Sequence, residues 1–345
     1  MWDPRNYEDT DFGLEEGESF EPDDAWEWDE VDLSAQHVMT VLGPIEVEEL
    51  GICLPREHVL ASPPEASGLD DTHRLDRVDL ATEELEMYFT SGGRSIVDSS
   101  TADYGRDLSG LVTIARQVPV NIVATTGRRQ HQFAALMPNA LDEGAIQAEL
   151  EADIAGPIRP GVITFGTSLD QITDEERVAG LAAATVAVRH GYPVATHAEA
   201  GTMAHEQLDL VESRGLDPGR VTIGNLDQKL DFEYLKSIAK RGAWLAFDHV
   251  GQVRFGRDRA RAEMIVRLAE AGLAGQLLVS QGLARQSDFV SHGGTGWTHL
   301  LERFTLELME RGASAMLVRD LLIENPARAL AIHPPTKQHP AADPL

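Results

Sequence analysis

Eight short runs rich in β-branched residues alternate with amphipathic stretches from about residue 39 onward, and this alternation constrains the fold most strongly. The runs that we predict as strands are "IEVEELGICL", "GRSIVDSS", "VNIVATT", "GVITFGT", "YPVATHA", "RVTIGNL", "AWLAFDH" and "GQLLVSQ". Helices are predicted for "LATEELEMYFTSG", "ITDEERVAGLAAATVAVRHG" and "RARAEMIVRLAEAG", and the last two end at a glycine, as helices often do. Strands that are nearly all followed by a helix predict an α/β protein, a (β/α)8 TIM barrel. A doubly wound open sheet is the alternative, and the missing glycine-rich turn after the first strand counts against it.

The negative charge of the chain is concentrated at its amino terminus. Residues 1–36 contain 14 acidic residues and one arginine, a net charge of −13 out of −28 for the whole chain. We therefore predict a disordered acidic tail over 1–36, a barrel over 37–335 and a short carboxyl-terminal tail over 336–345. Aromatic residues lie among the acids, so the tail either keeps the protein soluble or contacts a protein partner, a neighbouring subunit or its own barrel. The acidic surface argues against nucleic acid as a partner, because phosphate backbones are bound by basic patches.

The sequence also limits the compartment. Cys53 is the single cysteine, so no intramolecular disulfide is possible and a reducing compartment is expected. No apolar run approaches the roughly 20 residues of a membrane span, and no secretory signal opens the chain. We expect a cytoplasmic protein that does not contact a membrane and takes a small-molecule substrate.

Five segments together resemble the phosphotriesterase family of the amidohydrolase superfamily. They are "VLGPIEVEELGICLPREHVL", "GGRSIVDSSTADYGRDLSGLVTIARQVPVNIVATTG", "ATHAEAG", "RVTIGNLDQKLDFEYLKSIAKRGAWLAFDHVG" and "GGTGWTHLLERF" with "LLIENPARALAI". The resemblance implies a (β/α)8 barrel, a homodimer, and hydrolysis of phosphotriesters, lactones, esters or amides by two metal ions at the carboxyl-terminal mouth of the barrel. It also implies six ligands: a His-x-His pair on strand one, a carbamylated lysine on strand four, one histidine each on strands five and six, and an aspartate on strand eight. Imidazoles and anionic oxygens suit zinc-like ions, which can share a hydroxide and polarise the substrate.

The sequence departs from this family pattern at four of the six ligand positions. The replaced positions carry Arg56, Thr164, Asn225 and Gly282, or Gln281 if the register shifts by one residue. His58 and His197 match the family ligands, and by that pattern each would serve a different metal ion. We therefore predict a degenerate metal site and no metal cofactor.

Arg56 makes a metal still less favourable. A guanidinium about 4 Å from a divalent ion repels it by about 8 kcal/mol at an effective dielectric of about 20. Our hypothesis is that Arg56 supplies permanent positive charge where an ion supplied it. Alternatively, Arg56 points aside and pairs with Glu57 or a neighbouring aspartate. A single zinc or manganese ion held by His58 and His197 with a carboxylate such as Glu199 or Asp227 is the third possibility.

The remaining candidates lie at or after predicted strand ends. His58 and His197 are the candidate acid–base residues, because imidazole titrates near neutrality. Asp248 and His249 resemble the strand-seven pair of the family, in which a histidine can relay protons. Candidate substrate-binding residues are Asn225, Asp227, Gln281, Arg254, Arg257 and Trp297. We expect Asp98 to be structural, and Arg259 and Arg261 to be solvated.

Three functions remain open at this stage. The first is a metal-independent enzyme that acts on a small anionic or carbonyl-containing substrate, by hydrolysis or by lyase or cyclase chemistry, with Arg56 stabilising charge. The second is a non-catalytic binding or scaffold protein. The third is a hydrolase of esters, lactones or amides with one metal ion.

Overall fold

A computed structural model of the protein describes residues 32–334. The predicted acidic tail over 1–36 therefore lies almost entirely outside the described residues, as does the predicted segment over 336–345. The first strand begins at His37.

Eight parallel strands form one sheet that curls into a barrel. They are β3 (Cys53–Glu57), β4 (Ser95–Asp98), β5 (Asn121–Gly127), β6 (Val162–Thr167), β7 (Val194–Ala198), β8 (Val221–Gly224), β9 (Trp244–Phe247) and β10 (Leu277–Val279). Each strand pairs with the next along the chain, so that the order from β3 to β10 is sequential. The predicted (β/α)8 barrel is confirmed.

Helices follow the strands and cover the outside of the barrel. They are α1 (Val78–Thr90), α2 (Leu108–Ala115), α3 (His131–Ala134), α4 (Glu143–Ile154), α5 (Asp174–His190), α6 (Ala204–Glu212), α7 (Phe232–Ala239), α8 (Asp258–Leu268), α9 (Thr305–Glu310), α10 (Ala315–Arg319) and α11 (Asn325–Leu330). The three predicted helices correspond to α1, α5 and α8. Helix α5 begins at a capping box, in which the Thr173 side chain accepts from the Glu176 backbone and the Glu176 side chain accepts from the Thr173 backbone.

The first predicted strand, over residues 45–54, is wrong in its bounds. Strands β1 (His37–Thr40) and β2 (Gly43–Glu46) form an antiparallel hairpin, and a 3-10 turn over Val47–Leu50 separates it from β3. The chain turns at Gly51, which has a φ of 60° and whose Cβ would lie 2.9 Å from the Arg94 side chain. The hairpin covers the amino ends of the strands, where Val41 N donates to Ile122 O.

The buried side chain of Glu57 joins the first barrel strand to the last. Its Oε1 accepts from Ser280 Oγ and Gln281 N, both at 2.6 Å, and its Oε2 accepts from Leu283 N at 2.9 Å and Trp297 Nε1 at 3.2 Å. Burial raises the pKa of Glu57 to about 7, although these hydrogen bonds favour the carboxylate. This contact fixes β3 against the end of β10, and thereby positions the residues on either side of Glu57.

The floor of the barrel is apolar. One buried cluster there contains Val38, Leu50, Cys53, Val97, Val123 and Val162. Polar side chains in the barrel interior therefore concentrate at the carboxyl ends of the strands, where barrel enzymes carry their sites.

Candidate active site

A cavity of about 500 Å³ opens at the carboxyl ends of the barrel strands. Residues at or after the ends of all eight barrel strands contribute to it. Its charged lining is dominated by arginine: Arg56, Arg129, Arg254 and Arg285 face it, and Glu199 is the one carboxylate among its described lining residues. The cavity of this acidic protein is therefore cationic.

Arg56 extends from β3 across the cavity and contacts the carboxyl ends of two strands, β7 and β9. Its Nη1 donates to Thr196 O at 2.9 Å, its Nη2 donates to His197 Nδ1 at 2.9 Å, and its Nε lies 3.3 Å from Asp248 Oδ2. Gly224 leaves the space for this path, because a Cβ there would lie 2.7 Å from Arg56 Nη1. Arg56 therefore faces the mouth and does not pair with Glu57, although it does pair with a neighbouring aspartate.

His197 is held between Arg56 and Glu199. Because Nδ1 accepts from Arg56, the ring proton lies on Nε2, which donates to Glu199 Oε2 at 2.7 Å. Burial and the charges of Arg56 and Arg129 outweigh the opposing carboxylate and lower the pKa of His197 to about 4. The hydrogen bond from His197 in turn lowers the pKa of Glu199. The low pKa and the two hydrogen bonds therefore favour a neutral imidazole with its proton on Nε2.

His58 has an equivalent contact with a second guanidinium. Its Nε2 accepts from Arg129 Nη1 at 3.1 Å, and its Nδ1 lies 3.0 Å from Ser100 Oγ. Its ring packs against Tyr104, with a centroid distance of 4.8 Å. Burial, together with the charges of Arg129 and Arg56, lowers the pKa of His58 well below its usual value.

Arg129 is a site residue that sequence reasoning missed. It lies two residues after Gly127, the last residue of β5, in the run "TTGRRQ". A charged pair directly after a buried strand end was the available signal, since strand ends face the mouth of such a barrel. The ligand pattern of the family has no position on β5, the third strand of the barrel.

The residues present do not fit a binuclear metal centre. Within residues 32–334, no group of three histidine, cysteine, aspartate or glutamate side chains is arranged to hold a metal ion. Thr164, at the lysine position, donates to Ala195 O at 2.7 Å. Gly282, at the aspartate position, has a φ of 56° and a Cβ there would lie 2.6 Å from Asp248 O. The described residues likewise do not bring His58 and His197 together with a carboxylate as ligands of a single ion.

Asn225 faces the cavity beside His197. Its backbone takes a φ of 61°, and its N–H donates to Asp248 Oδ2 at 2.8 Å. Its Nδ2 lies 3.1 Å from His197 Nδ1. Burial raises the pKa of Asp248, while the charge of Arg56 opposes this rise. Asn225 and Asp248 thus support the Arg56–His197 contact, and Asp248 itself is not among the residues that line the cavity.

Asp227 lies behind the cavity wall, so the prediction that it binds substrate is wrong. Its two oxygens accept from His249 Nδ1 at 2.9 Å and Arg261 Nε at 2.6 Å. Burial raises the pKa of Asp227, but His249 and Arg261 outweigh this effect, and the pKa is lowered. Arg261 is buried, which corrects the prediction of a solvated side chain, because the chain folds it onto Asp227. His249 faces the cavity, as expected.

Gln281 and Trp297 are structural and do not line the cavity, which corrects their prediction as substrate-binding residues. Gln281 Nε2 donates to Gly296 O at 2.7 Å, and its Oε1 accepts from Leu300 N at 3.1 Å. Trp297 is buried and donates to Glu57. Both residues turn toward the protein interior, where their polar atoms anchor the segment after β10.

The two arginines predicted at the rim differ from each other. Arg254 lines the cavity, but its two terminal nitrogens bind both oxygens of Asp288, at 2.7 Å and 2.9 Å. Arg257 is exposed at the start of α8 and does not line the cavity, so the structure does not support its prediction as a substrate contact. Arg259 is exposed and pairs with Glu263 within α8, as expected for a solvated residue.

The barrel and its polar mouth define the class: a (β/α)8 protein whose cavity has the position of a barrel active site. The chain belongs to the phosphotriesterase family, whose sequence profile matches residues 36–330. The expected family is therefore confirmed. No helix within residues 32–334 combines the length and apolarity that a membrane span requires.

Three known proteins illustrate the similarity. The phosphotriesterase homology protein of Escherichia coli (strain K12) is 30% identical over 264 residues, which cover 74% of this chain and 89% of that protein. The phospho-furanose lactonase of Mycoplasmopsis synoviae (strain 53) is 29% identical over 321 residues, which cover 85% of this chain and 91% of the lactonase. The crystal structure of a lactonase from Listeria monocytogenes matches with a TM-score of 0.80 at 27% identity, over 86% of this chain and 99% of that one.

Proposed function

We propose that the protein is a metal-independent hydrolase of small anionic lactones or esters, in which Arg56 and Arg129 act in the places of two metal ions. The observation that carries the proposal is the contact of each remaining ligand histidine with a guanidinium: His197 with Arg56 and His58 with Arg129. Arginine keeps its charge at all ordinary pH values and can hydrogen-bond an oxyanion directly. The names of the two similar lactonases favour hydrolysis over lyase or cyclase chemistry for this site.

His197 is the proposed general base. Glu199 holds the proton on Nε2, so the lone pair of His197 lies on Nδ1, where Arg56 donates to it. A substrate carbonyl oxygen competes for that same Arg56 donor. When Arg56 Nη2 turns from His197 to the carbonyl oxygen, the donor polarises the carbonyl group and the base becomes free.

The reaction then follows from the exchange of one hydrogen bond. Nδ1 of His197 takes a proton from water as the water oxygen bonds to the carbonyl carbon, and Arg56 stabilises the oxyanion that forms. The carbon–oxygen bond of the lactone or ester breaks, and the leaving oxygen takes the proton back from His197. The products are a carboxylic acid and an alcohol, so that one water molecule has been added.

The test combines a panel of lactones and esters with metal analysis. We expect turnover by protein treated with a chelator, less than about 0.1 equivalent of bound metal, and a loss of roughly 100-fold or more in kcat/KM for His197→Ala. His190→Ala is the control, because His190 ends α5 and does not line the cavity.

Three results would contradict the proposal. They are one full equivalent of zinc or manganese, activity that disappears on chelation, and equal activity of His197→Ala and the native protein. No turnover of any substrate in the panel would favour the non-catalytic alternative.

A further inference from the structure

Two of the four arginines that line the cavity form no ion pair within residues 32–334. Arg56 pairs with Asp248, and Arg254 is neutralised by Asp288. No ion pair between described residues involves the side chain of Arg129 or Arg285, although Arg129 N donates to Asp103 Oδ2 at 2.8 Å. A charge that is partly removed from water without a counter-ion is costly to the folded state. An anion from outside the chain would remove this cost.

Arg129 is half-buried against aromatic rings and uses little of its hydrogen-bonding capacity. Its guanidinium carbon lies 4.2 Å from the ring centroid of Tyr104 and 5.4 Å from that of Phe133. Its side chain donates one hydrogen bond, to His58, while its Nε is buried and has no partner among the described residues. Burial lowers the pKa of Arg129, although the charges of Asp103 and Glu199 act in the opposite direction.

Arg285 approaches the same region from the segment after β10. Its Nε donates to His73 Nε2 at 3.1 Å, and His73 Nδ1 lies 3.1 Å from Asp70 Oδ1. Its two terminal nitrogens donate to no acceptor within residues 32–334. Burial raises the pKa of Tyr104, and the charges of Arg129 and Arg285 both oppose this rise. Tyr104 and both arginines line the cavity.

We propose that Arg129 and Arg285, which line this cavity together with Tyr104, form a subsite for an oxyanion, either a phosphate or a carboxylate group. The subsite lies on the His58 side of the cavity, whereas the proposed base His197 belongs to the Arg56 side. As an account of substrate choice, this inference rests on the proposed hydrolysis. The substrate would then carry its anionic group at one end and its scissile carbonyl at the other, within a cavity of about 500 Å³.

Anion binding can be measured without catalysis. Isothermal titration with inorganic phosphate and with succinate, at low ionic strength to limit screening, tests the two oxyanion classes separately. We expect native protein to bind at least one of them, and Arg129→Met and Arg285→Met each to weaken that binding roughly tenfold or more, since each removes a charge-assisted hydrogen bond. Arg257→Met is the control: it removes the same charge from an exposed position outside the cavity, and binding should change less than about threefold.

The outcomes separate this subsite from the proposed reaction. His197→Ala should bind phosphate or succinate as the native protein does, even though its turnover is lost. If anion binding depends on Arg129 and Arg285 but no lactone or ester is hydrolysed, the proposed subsite is supported and the proposed hydrolase function is contradicted.

The subsite fails if neither anion binds at about 10 mM, or if binding is equal in the native protein and both variants. If Arg129→Met does not fold, Arg285→Met and the conservative Arg129→Lys still decide the question. For Arg129→Lys we expect weakened but measurable binding, because lysine keeps the positive charge but lacks the planar pair of N–H donors of the guanidinium group.

Discussion

Replacing Arg56 by methionine tests the electrostatic arrangement of the mouth before any substrate is known. Methionine keeps most of the volume of the side chain but removes the cation that faces Asp248. The pair is largely excluded from water, with side-chain exposures of 14% for Arg56 and 1% for Asp248. Removing one partner of such a pair leaves a buried carboxylate uncompensated and typically costs about 3–5 kcal/mol.

The stability cost of Arg56→Met should depend on pH in a definite direction. Burial already raises the pKa of Asp248 above its usual value, and loss of Arg56 removes a charge that opposes this rise. When the pKa of a carboxyl group is higher in the folded than in the unfolded state, the free energy of unfolding decreases as pH increases through the folded-state pKa. The cost of Arg56→Met should therefore be smaller at about pH 5 than at about pH 8, because the protonated Asp248 tolerates burial.

Urea denaturation at the two pH values provides the assay, with the free energy of unfolding obtained by linear extrapolation. Arg257→Met is the matched control and should cost less than about 0.5 kcal/mol, since Arg257 is exposed. Adding Asp248→Asn to Arg56→Met should recover part of the loss, because the uncompensated charge is removed. A cost below about 1 kcal/mol at pH 8, or a double variant no more stable than Arg56→Met, would refute the assigned Arg56–Asp248 contact.

Three further predictions follow from the contacts around this pair. Glu57→Gln removes one of two acceptor oxygens that serve four buried donors, so we expect a loss of about 2–6 kcal/mol in urea denaturation, against almost none for the exposed Glu86→Gln. With the pKa of His197 at about 4, the rate should be nearly constant from pH 5 to 8, and Arg56→Met should move the acid limb upward; a native limb near 6.5 would contradict this assignment. Gly224→Ala places a Cβ 2.4 Å from Thr196 O and 2.7 Å from Arg56 Nη1, so kcat/KM should fall about tenfold or more, and an unchanged value would show that Arg56 does not need this path.

The fold could be predicted from the sequence because the periodicity of strands and helices is a local property. Buried runs such as "VNIVATT" are bounded by their own local signals, and so is helix α5, which is capped by Gly191 at its carboxyl end. The first strand was misplaced because "IEVEELGICL" has strand-like composition throughout, and a single glycine, Gly51, divides it. Composition alone cannot indicate that division.

The candidate site could be predicted only in part, because the spacing of residues along the sequence does not show which side chains meet across the barrel. Arg56, His58 and His197 were predicted from the resemblance to the ligand pattern of the family, and all three line the cavity. Arg261 appeared solvated from its helix, yet it reaches Asp227, which lies 34 positions earlier in the chain. Gln281 showed the opposite error: a strand-end amide was expected to face substrate, but its hydrogen bonds are all made within the protein.

The two guanidinium contacts also bear on the proposed metal-independent reaction. A metal ion holds its ligands permanently, whereas a hydrogen bond from arginine to a neutral imidazole is weak enough to be exchanged for one to an anionic oxygen. Arg56 and Arg129 each occupy a histidine nitrogen that would otherwise be available as a base. Binding of an anion or a carbonyl oxygen would therefore do two things at once: it would compensate the arginine charge, and it would expose the basic nitrogen. On this interpretation, the low pKa of His197 keeps its imidazole unprotonated before substrate binds. Substrate binding, rather than loss of a proton, then frees Nδ1 to act as the base.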